Sequence, residues 1–518
     1  MTWRTNDWRP FGLRATPRFV FIAAFSLCFL ILGSWSYASP LAAAPDEQAH
    51  VIHAYAIDHG QIGTATNPPS KVLVNFNVPI SINFVKIDLH CWQFKVSVPA
   101  TCMPPWDNSP ALMKTPSYVG HYPPLYYALV GIGGLFSAGP PGIYLMRILS
   151  AALGAVMMAL ALYTVARWSR RRGMIFGVYL AITPITYFLS SSVNPSGFEI
   201  MTAVALWTTL CVLALEYREE PPVELLRVLV FEACTFELIR GLSPFWLFLI
   251  GLVTILLLTP RKAFELVRTQ RAVQYVVAAI VSGAGVAATW ILTQGTLNVL
   301  PVGYAVNPND SEFTVVSKVL THVKEWIRES VGVLGWLDTV LPKVIYKSWY
   351  YLVIAVVAIA LVRAKNSQRL ALVAVCVLSF VVPVAIVTRQ AHILGIVWQG
   401  RDSLPLVVGV VVLACALLVP AGDPSRLARV FLCLGIAVIA LNNIYAFYFN
   451  LRRYAVGSAG SHLFFLRNQG WSPPTGQTPT LVVFCLATAA FAALLMAWTW
   501  FAQGPMRTAH RPNLRRLD

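Results

Sequence analysis

The stretch Ala44-Pro45-Asp46-Glu47-Gln48-Ala49-His50-Val51-Ile52-His53 lies a few residues beyond the first long apolar run of the chain. Two adjacent carboxylates and two histidines therefore stand where a membrane helix meets water. If a helix runs from Asp46 to Gly60, the side chains of Asp46, His50 and His53 share one face, because residues three and four positions apart are neighbours on a helix. The pattern predicts either a polar site at the membrane surface or a helix with Asp46 as its N-cap.

The composition is that of a chain that crosses a membrane several times. Of its 518 residues 57% are hydrophobic and 12% are charged, and the mean hydropathy is +0.64. Soluble domains carry about 25% charged residues. The net charge of +17 does not indicate a nucleic-acid partner, because an excess of basic residues in cytoplasmic loops explains it. We predict an all-α polytopic protein of the plasma membrane, with the lipid bilayer as its first partner.

Basic residues at the ends of apolar runs predict the orientation of the chain. Arginines precede the first run, Phe19 to Tyr37, and basic clusters at Arg170–Arg172 and Arg507–Arg516 close later runs. Because cytoplasmic loops are enriched in Lys and Arg, the pattern predicts about 12 spans with both termini in the cytoplasm. The predicted units are a cytoplasmic tail over residues 1–18, a transmembrane domain over 19–501 and a basic cytoplasmic tail over 502–518.

Two long segments, residues 38–122 and 294–347, are predicted to form extracytoplasmic loops. The first is β-like around Lys71 to Val85 and ends in an apolar run, Tyr122 to Ala138, that suits an interfacial helix better than a span. In the second, apolar residues at helical spacing predict an amphipathic helix on the outer leaflet: Phe313, Val316, Leu320, Val323 and Ile327. Loops this long are usually functional or disordered.

One predicted span is unusual in its charge. The run from Leu225 to Ile239 carries Glu232 and Glu237, and Pro244 to Leu258 returns from it. Charged side chains inside a span are costly and usually face a polar cavity. We therefore expect these two runs to form a hairpin inside the bundle.

Cysteine usage predicts one disulfide and no metal centre. Of nine cysteines, Cys91 and Cys102 form the pair in a polar segment, and their predicted compartment is oxidising. The others lie in apolar runs, where cysteine behaves as a small hydrophobe. No CxxC or Cys/His metal spacing occurs.

Transfer of a sugar from a lipid phosphate is one chemistry that the outer face could support. The reaction needs a carboxylate to deprotonate an acceptor hydroxyl and cations to hold the departing phosphate. Asp46 is the first candidate for the base and Glu47 the second. Four arginines near predicted outer ends of spans could hold the phosphate, or could each snorkel to lipid headgroups: Arg147, Arg240, Arg389 and Arg401.

The neighbours of Asp46 suggest how it could be tuned. His50 lies one helical turn further on and could hydrogen-bond the carboxylate and fix its rotamer. Two adjacent acids in a partly dehydrated cleft predict that one of Asp46 and Glu47 has a raised pKa. A divalent metal at Asp46, His50 and His53 also fits the spacing, but a further clear ligand is lacking, so no cofactor is assigned.

Other polar residues are candidates for binding substrate: His50, His53, His121, Tyr122, Asn194, Glu199 and Gln399. Several have a structural alternative. Asn194 could instead cap the helix that follows it, and Tyr122 could belong to an aromatic belt. Arg401 could form a structural pair with Asp402 or with Glu199.

Four motifs occur in order along the chain: Pro45-Asp46-Glu47-x-x-His50, Tyr122-Pro123-Pro124-x-Tyr126, Ser192-Val193-Asn194-Pro195-Ser196-Gly197 and Gln399-Gly400-Arg401. Together they resemble a family of actinobacterial polytopic membrane proteins catalogued as a domain of unknown function, over roughly Phe19 to Phe501. That family is similar to the GT-C glycosyltransferase superfamily, whose first outer loop bears an acidic motif.

The resemblance implies a GT-C-like bundle and a polyprenyl-phosphate sugar donor. It also implies a cell-envelope glycan or lipid as acceptor and an active site on the extracytoplasmic face. Asp46 matches the usual base position of the superfamily, and Glu47 matches its acidic neighbour. Asp402 departs from the family pattern, in which an aromatic residue commonly follows Gln-Gly-Arg.

Two alternatives from other classes remain. A transporter or flippase of lipid-linked saccharides fits the number of spans, the acids within them and the discontinuous helices. Against it, the two halves show no convincing repeat, and the long polar loops are predicted to lie on one face. A non-catalytic partner of envelope-biosynthesis proteins is the other alternative.

Overall fold

The computed structural model describes residues 16–62, 72–83, 91–217, 219–298 and 306–501. Within these ranges the chain forms seventeen α-helices and two small antiparallel sheets of two strands each. Helices dominate because a membrane offers the backbone no hydrogen-bond partners, and a helix satisfies its own N–H and C=O groups. Residues 1–15 of the predicted N-terminal tail and the whole predicted C-terminal tail lie outside the described ranges.

The helices are α1 (Pro17–Tyr37), α2 (Glu47–Asp58), α3 (Pro124–Phe136), α4 (Pro140–Trp168), α5 (Gly173–Leu180), α6 (Pro184–Ser190), α7 (Pro195–Glu216), α8 (Val223–Glu237), α9 (Ser243–Leu258), α10 (Pro260–Thr269), α11 (Arg271–Gln294), α12 (Glu312–Gly332), α13 (Lys343–Arg363), α14 (Asn366–Leu394), α15 (Gly400–Leu418), α16 (Arg426–Val456) and α17 (Gln477–Phe501). The strands are β1 (Val74–Pro79), β2 (Leu112–Ser117), β3 (Val333–Leu334) and β4 (Thr339–Val340).

Within the described ranges, nine helices are long and apolar enough to cross a membrane, or up to eleven spans if each of two bent pairs counts as one. The bent pairs are α5 with α6, at 65°, and α9 with α10, at 100°. This confirms a polytopic helical protein with about the predicted number of spans. The twelfth predicted span corresponds to α8, which has 15 residues and is roughly 22 Å long at 1.5 Å per residue, shorter than a hydrocarbon core of about 30 Å. It nevertheless runs back along α7, because Arg240, just beyond its end, contacts Glu199 near the start of α7.

Two helices form the centre of the bundle. In both α7 and α15, 89% of the apolar 18-residue stretch that could cross the membrane is buried inside the protein. In α11, at the periphery, the buried share is 11%. α7 packs between α4, α8 and α15, and α1 packs on α4 and α17. The N-terminal ends of α7 and α15 therefore meet in the interior, and both carry polar residues there.

The predicted loops contain the expected local structure. β1 pairs with β2 in antiparallel register, Val74 opposite Ser117, which confirms the β-like stretch. α3 has 13 residues, too short for a span, and α12 covers the predicted amphipathic segment. Cys91 and Cys102 form a disulfide with their Cα atoms 5.9 Å apart.

Candidate functional site

Asp46 lies between α1 and α2 in a left-handed backbone conformation, with φ of 66°. It occupies the N-cap position of α2, but its side chain makes no capping hydrogen bond, so the alternative in which the carboxylate serves as a helix cap is wrong. The carbonyl of the preceding Pro45 accepts a hydrogen bond of 3.1 Å from Asn194 Nδ2 at the start of α7. Asn194 Oδ1 also accepts from Ser196 N at 2.9 Å, so this residue caps α7 and holds the Asp46 turn at the same time.

Glu47 points away from Asp46 into the protein and is fully buried. Its two carboxylate oxygens accept hydrogen bonds of 2.7 and 2.6 Å from Nε and Nη2 of Arg147 on α4. They also accept from the backbone N–H groups of Ala42, at 2.8 Å, and Val193, at 3.1 Å. Both oxygens of Glu47 are thus engaged in joining the α1–α2 connection to α4 and to the α6–α7 connection.

Arg147 is equally occupied. Besides Glu47 it donates to the carbonyl oxygens of Ser36 and Ser39, both at 2.9 Å, and of Pro40 at 2.8 Å. These contacts satisfy the carbonyls that follow the C-terminal end of α1, which no helical N–H can reach. The Arg147 guanidinium therefore binds the protein itself, and its geometry does not favour the predicted role in phosphate binding.

Asp46, in contrast, is partly exposed, and we call its surroundings with Arg401 and Tyr118 the Asp46 cleft. Its Oδ2 lies 2.5 Å from Nη2 of Arg401, the second residue of α15, and Asp46 and Arg401 are 27% and 11% exposed. Its Oδ1 accepts a hydrogen bond of 2.7 Å from the hydroxyl of Tyr118. Tyr118 follows β2 and was missed at the level of sequence, where only its position four residues before Tyr122 could have drawn attention to it.

The contacts of Asp46 decide its protonation. Burial acts to raise the pKa of the carboxyl, but the charge of Arg401 and the hydrogen bonds from Tyr118 and Arg401 outweigh it, so the pKa is lowered. The raised pKa that was predicted for one of the two adjacent acids is therefore not found at Asp46. The carboxylate is ionised at neutral pH and, in this arrangement, is a weaker base than a free aspartate.

A second ion-pair cluster lies beside the first. Arg240, which follows α8, contacts Glu199 of α7 at 2.9 Å and Asp402 of α15 at 3.2 Å. Glu199 also accepts a hydrogen bond of 2.7 Å from the Ser243 hydroxyl. Asp402 and Glu199, which were suggested as partners of Arg401, therefore pair with Arg240 instead.

The two arginines differ in how far their charge is neutralised. Arg240 faces two carboxylates, whereas the carboxylate paired with Arg401 is that of Asp46. Within the described ranges, the buried Nε and Nη1 of Arg401 have no hydrogen-bond partner. Buried N–H groups are almost always paired, so these two are the free donors with which Arg401 could bind an anion.

The histidines pack against tyrosine rings and do not reach Asp46 with a hydrogen bond. His50 Nδ1 lies 2.8 Å from the Tyr127 hydroxyl, and His53 Nδ1 lies 2.7 Å from the carbonyl of Val119. Burial lowers the pKa of both imidazoles to about 3, so both are neutral at physiological pH. The expected hydrogen bond between His50 and Asp46 is therefore not formed.

The metal hypothesis fails on the same geometry. In the described part of the chain, no group of three or more His, Cys, Asp and Glu side chains could hold a metal ion. Asp46 turns toward Arg401, while His50 and His53 turn toward Tyr127 and Val119. Spacing on a helix could not foresee this, because Asp46 stands just outside α2.

Three predicted site residues remain to be placed: His121, Gln399 and Arg389. His121 accepts from Trp290 and Thr296 through its backbone carbonyl. Gln399 is the N-cap residue of α15, and its backbone N–H donates to Asp402 Oδ2 at 3.2 Å. Arg389 lines a separate cavity of about 620 Å³ between α12 and α14, so the structure does not join it to the Asp46 cleft.

An apolar groove opens beside the start of α15. It has a volume of about 210 Å³ and lies between α12, α14 and α15, with Trp326, Phe380 and Ser403 among its lining residues. The helices approach each other so closely here that a Cβ on Gly400 would lie 2.2 Å from the carbonyl oxygen of Trp326. This explains the glycine of the Gln-Gly-Arg motif: it lets Arg401 emerge next to the groove.

Fold and site together define a polytopic helical membrane protein with paired arginines and carboxylates where its central helices begin. The chain belongs to the family described as "Predicted membrane protein (DUF2142)", whose model matches residues 29–410. The actinobacterial origin of the resemblance stays a prediction. Curated proteins give no match to the sequence.

Two crystal structures of ArnT from Cupriavidus metallidurans are similar over most of the chain. The structure bound to undecaprenyl phosphate has a TM-score of 0.42 and 14% sequence identity, and the alignment covers 92% of this chain and 77% of that one. The apo structure has a TM-score of 0.44 and 11% identity, with 92% and 76% of the two chains covered.

Proposed function

We propose that the protein is a GT-C-type membrane glycosyltransferase. It transfers a sugar from a polyprenyl-phosphate donor to a glycan or lipid acceptor of the cell envelope, on the extracytoplasmic face of the plasma membrane. The observation that carries the proposal is the contact between Asp46 and Arg401. It puts an ionised carboxylate beside an arginine that still has two free N–H groups, which are the two functions the reaction needs.

Asp46 is the base in this proposal. The acceptor hydroxyl oxygen forms a bond to the anomeric carbon of the donor sugar, and the bond from that carbon to the phosphate oxygen breaks. The electron pair of the broken bond leaves with the lipid phosphate, and Asp46 takes the hydroxyl proton. Glu47 is excluded from this role in the proposal, because both of its oxygens are engaged by Arg147 and by backbone N–H groups.

Arg401 is the phosphate ligand. A guanidinium carries several N–H donors in a fixed plane that matches phosphate oxygens, and charge on the departing phosphate grows as the sugar bond breaks. Arg240 is the weaker candidate, because Glu199 and Asp402 already neutralise it. It stays in the proposal as the residue that orients Asp402 beside the cleft.

The apolar groove supports a lipid-linked donor over a soluble one. It begins within two residues of Arg401, at Ser403, and is bounded by apolar side chains of α12 and α14. A phosphate at Arg401 could therefore have its hydrocarbon chain in contact with these helices while the sugar remains in the Asp46 cleft. Burial of such a chain contributes about 0.8 kcal/mol per CH₂ group.

Replacement of Asp46 by asparagine tests the proposal. Asn tolerates the left-handed conformation that Asp46 adopts and has nearly the same shape, but it cannot accept the proton. Asp46→Asn should keep expression and thermal stability and lose at least about 100-fold in turnover. Asp310→Asn is the matched control, because Asp310 pairs with Lys318 outside the cleft. Near-normal transfer by Asp46→Asn would remove Asp46 as the base.

A further inference from the structure

Arg401 and Asp46 form a direct contact that makes Asp46 a weaker base than the proposed reaction needs. Arg401 Nη2 donates a hydrogen bond of 2.5 Å to Asp46 Oδ2, and the Tyr118 hydroxyl donates one of 2.7 Å to Asp46 Oδ1. Each Asp46 oxygen accepts one hydrogen bond and keeps a second lone pair. The proton affinity of the carboxylate is nevertheless reduced as long as the Arg401 cation is bound to it.

The two contacts are not equivalent. Tyr118 is neutral, and its hydroxyl donates to Asp46 Oδ1. Arg401 is a cation with two further N–H groups that lack a partner in the described part of the chain. An arriving anion is therefore drawn to Arg401, and its negative charge repels Asp46 in the same cleft.

We propose that the donor phosphate and Asp46 compete for Arg401, so that binding of the donor releases the carboxylate while Tyr118 keeps it in place. The inference rests on the proposed function and adds an order of events: the base is weak until a phosphate is bound. Tyr118 is a positioning residue in this scheme, since it holds the Asp46 oxygen that Arg401 does not.

The electrostatics of the cleft support the competition. Arg401 is the main charge that opposes burial at Asp46 and holds the pKa of that carboxyl low, so its departure returns basicity to Asp46. Arg240 cannot replace Arg401 at once, because it faces Glu199 and Asp402. The unbound protein thus keeps its base inactive without moving any helix.

The test is the affinity of the purified full-length protein for a polyprenyl phosphate, measured by titration in detergent. If Asp46 competes for Arg401, Asp46→Asn should bind this lipid about tenfold more tightly than the natural chain, a difference of about 1.4 kcal/mol. Asp310→Asn removes the same charge from the Lys318 pair outside the cleft and should bind like the natural chain. Thermal unfolding without lipid shows whether each variant is folded.

The outcomes separate this inference from the proposed function. Suppose that folded Asp46→Asn binds the lipid equally or more weakly and that Arg401→Gln loses binding. This pair of results would overturn the competition and leave the phosphate site intact. Unchanged binding by Arg401→Gln would overturn both. Inorganic phosphate is the second probe, and an affinity for it equal to that for the lipid would overturn the assignment to a lipid phosphate.

Discussion

Two adjacent carboxylates with the same chemistry have opposite fates in this protein. Glu47 is fully buried and bound to Arg147, whereas Asp46 is 27% exposed and contacts Arg401. The backbone turn at Asp46 separates them: with φ of 66°, the first carboxylate points outward and the second begins a helix that packs inward. Conformation at one residue therefore decides which acid can meet a substrate.

At the residue scale, Arg401→Lys should weaken use of the lipid donor although it keeps the charge. Lysine presents a point charge on a flexible stem and cannot offer the planar set of N–H groups that arginine does. We expect a rise of about tenfold in the KM for the donor, equivalent to about 1.4 kcal/mol, with turnover less affected. Arg389→Lys, in a cavity apart from the cleft, is the control. Unchanged donor affinity in Arg401→Lys would leave Arg401 as a structural residue.

At the scale of elements, the pair of Glu47 and Arg147 fixes how α1, α2 and α4 meet. Arg147 reaches from α4 to three carbonyls between Ser36 and Pro40 and to Glu47 at the start of α2. A buried pair is costly to break because the remaining charge is left without a partner. The same network fixes the α1–α2 connection in which Asp46 lies.

Glu47→Gln should therefore lower stability, in contrast to Asp46→Asn. It leaves the Arg147 guanidinium buried without a counter-charge, which costs about 3–5 kcal/mol, and thermal unfolding in detergent should show a lower midpoint. Glu325→Gln, which removes an exposed ion pair with Arg328 on α12, should cost less than about 1 kcal/mol. A Glu47→Gln protein of normal stability but without transfer activity would reverse the roles of the two acids.

At the scale of the whole molecule, the positions of the basic clusters predict that α12 lies outside the cell and the α9–α11 connections inside. Orientation relative to the membrane is a property of the entire set of spans, since each one reverses the direction of the chain. The predicted loop 294–347 would then carry α12 and cover the side of the cleft at which α15 begins.

Single cysteines test this orientation. Asn309 is exposed before α12, and Thr269 is exposed at the end of α10. An impermeant thiol reagent should label Asn309→Cys in intact cells and Thr269→Cys only after permeabilisation, with the natural chain as control for its own cysteines. The opposite result would invert the topology. A second predicted test position, Asn67, lies outside the described residues.

The sequence by itself determined the class of the protein and much of its local structure. Hydropathy and helical spacing depend on residues close together in the chain, so the long apolar helices, the strand near Val74 and the amphipathic α12 could all be predicted. The acidic stretch at Asp46 and the Gln-Gly-Arg motif were also recognisable, because each motif is contiguous. The short length of α8 is also a local property, since a run of 15 residues lies near the limit between a span and a shorter helix.

Only the tertiary structure decided which charges pair. Arg147 and Glu47 are 100 residues apart, and Arg401 and Asp46 are 355 residues apart, so no local pattern selects one arginine over another. The choice follows from which helix ends meet in the bundle, and from backbone details such as the left-handed turn at Asp46. Tyr118 was missed for the same reason: its hydroxyl matters only because packing brings the end of β2 to the start of α2.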